Sequence, residues 1–310
     1  MKRKKLTASM IALVMSVSLP MTTYAANWYL EDGSVTVNAD NSGQTVTQGS
    51  GSAVPDEAPV ITQRNSSAET SNTITINASE NATANVTISN VNIDTSGAAV
   101  STGGKGNVNI ELDGTNTLKS GRYHAGLEKS QDGKLTITDE NANGKLIATG
   151  GDYGAGIGGD DQGNGKNITI TGGEVTAAGG TNGAGIGGGL RKEGEKITVS
   201  GDATLKVQGG LTDEWDGAGA GIGNGGRHNG DTGSFIPVNG AETEPDTSNL
   251  TTGKIEYYAP GADMTKDEPT STTFGSLVQP EPSSPGETGA PAEYRMQTSA
   301  SEPVQGNGKS

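Results

Sequence analysis

The chain has 310 residues, of which 50 are glycine; 30% are hydrophobic, 4% aromatic and none cysteine, and 36 acids face 21 bases for a formal charge of -15. So little bulky apolar material cannot fill an ordinary globular core unless small aliphatics recur with great regularity. The charge argues against a nucleic-acid partner, and the missing thiols exclude disulfides and thiolate metal centres.

At the start, Lys2, Arg3, Lys4 and Lys5 precede an apolar run from Ile11 to Leu19 and then Thr23-Tyr24-Ala25. That order predicts a secretion signal over 1–25, cut after Ala25. The run is too short for a membrane anchor and no second one follows, so an exported chain without a membrane span is expected. Over 26–69, "GSVTVNA" with Val35 and Val37, "TVTQG" and "PVITQ" predict an irregular first coil or cap.

The stretch "GAGIGG" at 154–159 has the G-x-G-x-x-G spacing of a nucleotide loop, yet it recurs at 183–188 and as "GAGIGN" at 219–224. A dinucleotide fingerprint opens one helix and is trailed by an acid some twenty residues on. Here a turn and another strand follow, so no cofactor is expected. Aligned on the motif's alanine, Ala98, Ala125, Ala155, Ala184 and Ala220 are spaced by 27, 30, 29 and 36 residues. A period of that length predicts a solenoid, and "TDEWDG" accounts for the last spacing as an inserted loop.

Within each unit the hydrophobic period is two, the period of strands. Strand A is assigned to Ile74/Ile76, Val108/Ile110, Leu135/Ile137, Ile168/Ile170 and Ile197/Val199. Strand B is assigned to Leu146/Ala148, Val175/Ala177 and Leu205/Val207, with "TNTLKSG" around Leu118 fitting less well. Strand C takes Ala125/Leu127, Ala155/Ile157, Ala184/Ile186 and Ala220/Ile222. The fold class is therefore all-β, a parallel β-helix of three faces over 70–226 with coils about 4.8 Å apart. With Ala and Ile inward in strand C, Gly154, Gly156 and Gly158 fall on outward positions. They serve either tight turning and close coil stacking or a smooth shelf open to a flat ligand. Over 227–269, "GSFIPVNG" and "KIEYYAPG" predict cap strands, and 270–310 reads as a disordered Pro/Glu/Ser-rich tail without a wall-sorting signal.

The string "GKLIATGGDYGAGIGGDDQGNGKNITITGGEVTAAGGTNGAGIGGG" resembles secreted glycine-rich repeat proteins of anaerobic Gram-positive bacteria, often labelled carbohydrate-binding domain-containing or β-helix surface proteins. The resemblance covers roughly 70–226. It implies a right-handed parallel β-helix at the cell envelope or outside it, binding glycans or other surfaces more often than performing catalysis.

The turn before strand C is the candidate site. Tyr123 and Tyr153 stand two residues before their alanines, Asn182 holds the next equivalent position, and the insertion adds Trp215 beside Asp213, Glu214 and Asp216. His124 and Asp152 join the same row. Aromatic faces stack on sugar C–H surfaces while carboxylates and amides bond hydroxyls, so the expected ligand is a polysaccharide or surface glycan. The same aromatics could instead shield the edge of the core.

Asp160, Asp161 and Asn164, like "TDEWDG", offer oxygens but not the spacing of an EF-hand or a calcium β-roll, so no metal is expected. Catalysis would need carboxylates such as Asp152, Asp160 and Asp161 set across a cleft with Arg122, Arg191 or Arg227, whereas Asp160 and Asp161 are neighbours, and only His124 and His228 represent histidine. The sequons at Asn65, Asn77, Asn81, Asn85, Asn167 and Asn249 read as Thr/Asn-rich strands whose outward amides could form ladders. The sequence thus predicts a secreted, non-enzymatic glycan-binding protein; the alternatives are a protein-binding adhesin and a polysaccharide lyase or hydrolase, and the oligomeric state is open.

Overall fold

The structure is a computed structural model that describes residues 26–130, 132–229 and 236–277. The expected secretion signal and most of the expected tail lie outside the described residues. Nearly every element is a strand; among the described residues only a short 3-10 turn, Leu30–Asp32, interrupts them.

The strands stack in three sheets, A, B and C, each a column of successive coils in parallel register. Sheet A runs Asn27–Tyr29, Val60–Thr62, Thr83–Ser89, Asn107–Asp113, Leu135–Thr138, Gly165–Ile170 and Gly194–Val199. Sheet B runs Asn92–Asp94, Thr115–Lys119, Lys145–Thr149, Glu174–Ala178, Thr204–Gln208 and Lys254–Tyr258. Sheet C begins at Val35–Asp40 and continues through Ile74–Ala78, Val100–Gly104, Leu127–Lys129, Ile157–Gly158, Ile186–Gly187 and Ile222–Gly223. The molecule is a three-faced parallel β-solenoid. Its interior is a set of aliphatic ladders, for example Leu135 on Ile168 on Ile197 and Leu127 on Ile157 on Ile186 on Ile222, all essentially without solvent contact.

Three expectations need correction. Ile74 and Ile76 belong to sheet C, paired with Val35/Val37 and Val100/Thr102, and the matching level of sheet A is Ala84/Val86. An alternating aliphatic pair looks the same on every face, so only the neighbouring register could separate the two assignments. "TNTLKSG" is in register, Asn116 opposite Leu146 and Leu118 opposite Ala148. It fits poorly because Asn116 fills an inward, fully buried position, where its Nδ2 donates to the carbonyls of Asp113, Gly114 and Lys145 and its Oδ1 accepts the Val91 amide at 3.2 Å. Satisfied this way, a buried amide is tolerable in an apolar column. The ordered chain also extends past 270, since Ser271–Phe274 pairs antiparallel with Lys254–Tyr258.

Of the two roles expected for the glycines, the structure shows tight turning and close coil stacking. Gly154, Gly156 and Gly158 are buried, not an open shelf. A Cβ on Gly154 would lie 2.1 Å from the His124 carbonyl oxygen, and one on Gly156 would lie 2.6 Å from that of Gly185. Gly158, Gly187 and Gly223 share φ near +140° (137°, 141° and 140°), a backbone that side chains rarely adopt. Each therefore turns the chain out of sheet C into a corner that folds back over the glycine strip. Gly189, in that corner, approaches the Asp160 carbonyl so closely that a Cβ would stand 1.7 Å away. Outside the core, Asn77 Nδ2 donates to Asn38 Oδ1 at 3.0 Å and Asn109 Nδ2 to Asn85 Oδ1 at 2.9 Å, short amide ladders between coils.

Candidate functional site

The turn between sheets B and C holds a residue in left-handed backbone on three successive coils, Tyr123 (φ 75°), Tyr153 (φ 74°) and Asn182 (φ 63°). For asparagine this is an accessible state; for tyrosine it is uncommon and costs about 1 kcal/mol or more. Hydrogen bonds between coils impose it. The amides of Tyr123, Tyr153 and Asn182 donate to the carbonyls of Asp152, Thr181 and Leu211 at 2.8, 2.9 and 2.8 Å. Their own carbonyls accept from the corner after the next strand C, from the amides of Asp161, Leu190 and Gly226 at 3.0, 2.8 and 2.6 Å. Both ends of the peptide are held by neighbouring coils, so each side chain leaves the solenoid in the same direction.

Tyr123 and Tyr153 consequently stack, ring centroids 5.7 Å apart with an interplanar angle of 28°. Tyr123 is 47% exposed. The guanidinium of Arg122 lies over both rings, 4.7 Å from the centroid of Tyr123 and 5.2 Å from that of Tyr153, and its Nη2 donates to Tyr153 Oη at 3.3 Å. That hydrogen bond, against a smaller opposing effect of burial, holds the guanidinium above its ordinary pKa. Beside the pair, the exposed Asp152 accepts the Thr181 hydroxyl at 2.8 Å. His124 faces Glu128 instead, Nδ1 to Oε2 2.8 Å.

On the third coil the row changes character. Asn182 has 0% exposure and donates through Nδ2 to the carbonyls of Asp216 and Gly217 at 2.9 and 2.8 Å. It is not a ligand-facing residue but the peg on which the inserted loop hangs. Asp216 is likewise buried, 2% exposed, and takes Arg191 bidentately at 2.8 and 2.6 Å with His228 Nδ1 at 2.9 Å. Burial alone would push its carboxyl up, but the Arg191 and His228 contacts outweigh it and hold the group below the usual carboxylate range. Asp213 caps the loop from within, its Oδ1 accepting the amides of Trp215 and Asp216 at 2.8 and 2.7 Å. Glu214 and Trp215 face solvent, Trp215 with 52% exposure. The loop carrying the indole is thus tied to the coil that follows Tyr153.

Of the nine residues singled out in the sequence, Tyr123, Tyr153, Asp152, Glu214 and Trp215 are available at the surface, while Asn182, Asp213 and Asp216 build the loop and His124 is engaged by Glu128. Sequence reasoning missed the role of Arg122 as the third member of the aromatic stack, although an arginine next to a repeat tyrosine was a visible signal. It also missed a groove of about 650 Å³ on the outer surface of sheet B, floored by Ile147, Thr176 and Lys206 and walled by Met264 and Thr265. That groove exists only because 259–267 folds back along the sheet, Lys206 Nζ donating to the Met264 carbonyl at 2.8 Å and Gln208 Nε2 to Ala259 and Ala262. Asp160 and Asn164 line a separate cavity of about 380 Å³ with Lys129 and Lys166. Among the described residues no group of three or more His, Cys, Asp or Glu is arranged to hold a metal ion, and no helix is long and apolar enough to cross a membrane.

The fold and the site define a parallel β-solenoid with an arginine-backed tyrosine stack on one corner. Set against protein families, curated proteins and solved structures, the chain matches none.

Proposed function

We propose that the protein is an exported, non-enzymatic surface or matrix protein that binds carbohydrate at the Tyr123–Tyr153 corner. One observation carries the reading: two tyrosines accept an unfavourable backbone on consecutive coils, and their rings form a continuous platform 5.7 Å from centre to centre. Strain repeated at a surface position that asparagine fills without it on the next coil points to use of the side chain. Ring faces take the C–H surface of a pyranose, while Arg122 and Asp152 supply a donor and an acceptor for its hydroxyls. Trp215 presents a further exposed aromatic ring on the inserted loop.

The test is retention on a panel of immobilised polysaccharides with a product assay alongside. Tyr153→Asn substitutes the residue type of position 182, which tolerates the left-handed backbone. Retention should fall about tenfold, in keeping with the ~1 kcal/mol or more of one aromatic contact, while the unfolding midpoint stays level or rises. Unchanged retention in Tyr153→Asn and Tyr123→Ala would remove the corner from the reading. New reducing ends or unsaturated products would replace it with the lyase or hydrolase alternative.

A further inference from the structure

The first coil contains a buried acid without a cation. Asp56 is 2% exposed. Its Oδ2 accepts Trp28 Nε1 at 2.8 Å and the Ala26 nitrogen at 3.3 Å, and its Oδ1 accepts the Ala58 amide at 3.2 Å. Among the described residues it takes part in no ion pair. The adjacent Glu57 adds a second negative charge, its Oε1 accepting the Gln44 amide at 3.0 Å. Peptide N–H groups solvate a carboxylate but do not neutralise it, and a buried charge lacking a counter-charge is costly.

Ala26 is the residue that could supply that counter-charge. Its carbonyl is fixed by the Val60 amide at 3.0 Å, which places its nitrogen beside Asp56, yet the residue remains exposed. It also directly follows Thr23-Tyr24-Ala25, the small-residue pattern that export peptidases cut. We propose that Asp56 is the receptor for the α-ammonium group created when the chain is cut between Ala25 and Ala26, so that processing completes the first coil. An envelope peptidase hydrolyses that bond: water gives its hydroxyl to the Ala25 carbonyl carbon and a proton to the Ala26 nitrogen. The freed amine then takes up one further proton at neutral pH. The neutral donor already facing Asp56 becomes a cation in the same place, and Trp28, partly packed on the core, is held by the same carboxylate. This inference is independent of any glycan.

The test compares three forms of the mature-length chain: a free amine at Ala26, the same chain Nα-acetylated at Ala26, and the chain beginning at Ala25. Each is made with Asp56 and with Asp56→Asn. With Asp56, acetylation or the extra residue should lower the unfolding midpoint by about 2 to 4 °C; with Asp56→Asn the three forms should coincide. Equal effects in both backgrounds, or none in either, would overturn the proposal. Should Asp56→Asn not fold, the rate of acylation of the α-amine by an activated ester decides, because pairing with Asp56 should slow it several-fold relative to the chain beginning at Ala25, and equal rates would refute it. Amino-terminal sequencing of exported protein should begin at Ala26, and any other start would refute it as well.

Discussion

At the scale of single residues, the repeat's glycines are steric necessities. Gly158 combines φ of 137° with a neighbouring carbonyl oxygen 2.0 Å from where a Cβ would stand. Gly158→Ala should therefore cost about 3 kcal/mol, from the backbone conformation and the displaced coil together. In a solenoid the damage is expected to be local, visible in hydrogen exchange as loss of protection on the coils beside it while distant coils stay protected. Lys129 presents the opposite case, a charge in the sheet C column, level with Ile76 and Thr102 and only 5% exposed. Burial pushes its ammonium down to about 8, and the nearby Asp132 only partly opposes this. The folded protein therefore releases this proton more readily than the unfolded chain, whose lysine titrates near 10.4. Between about pH 8 and 10 the group makes stability rise with pH. Lys129→Met should lose that rise, measured as the difference between the two proteins' denaturation midpoints across the window.

At the scale of elements, the inserted loop between sheets B and C is held by charge more than by packing. The Asp216 carboxylate pairs with Arg191 and His228, Asp213 accepts the Asp216 amide, and Asn182 receives the loop from the coil below. Because its carboxyl is held below the ordinary range, this contribution is complete above the unfolded-state value near 4 and is lost as pH falls through the lower folded value. Protection of the Trp215 and Asp216 amides should therefore collapse on acidification below about pH 4. At neutral pH Asp216→Asn should lower it by about 2 kcal/mol, the scale of a hydrogen bond to a charged partner, and the difference should vanish as pH falls through the folded value. Sheet B illustrates the same dependence on neighbours: Asn116 sits in an apolar column only because four backbone groups meet its amide.

At the scale of the whole molecule, a parallel solenoid has two open ends, and at each of them one of the three sheets is continued by antiparallel strands. At one, Gly43–Gln48 and Val54–Pro55 extend sheet C; at the other, Ser271–Phe274 covers Lys254–Tyr258. Unpaired strand edges recruit other edges. Truncation after Thr270 should thus yield concentration-dependent association in sedimentation velocity, where the full chain stays at one size. The architecture itself was legible in the residues: the interval between glycine motifs revealed stacked coils, and paired aliphatics at period two revealed strands, because both patterns repeat locally. Which sheet received Ile74 was not legible, since register is decided by the strand alongside and not by the strand itself. The tyrosine row was likewise half readable. Its positions followed from the alignment, but its left-handed backbone and the Arg122 cover arise from hydrogen bonds to coils about thirty residues away.

The sequence by itself determined the strand period, the coil length and the placement of the aromatic corner, for these depend on residue type and spacing along the chain. Only the tertiary structure decided that the glycine strip is buried, that Asn182 and Asp216 serve the loop, and that Asp56 waits beside Ala26. Those outcomes depend on which backbone lies across from which, and stacking brings together atoms that the linear order keeps far apart.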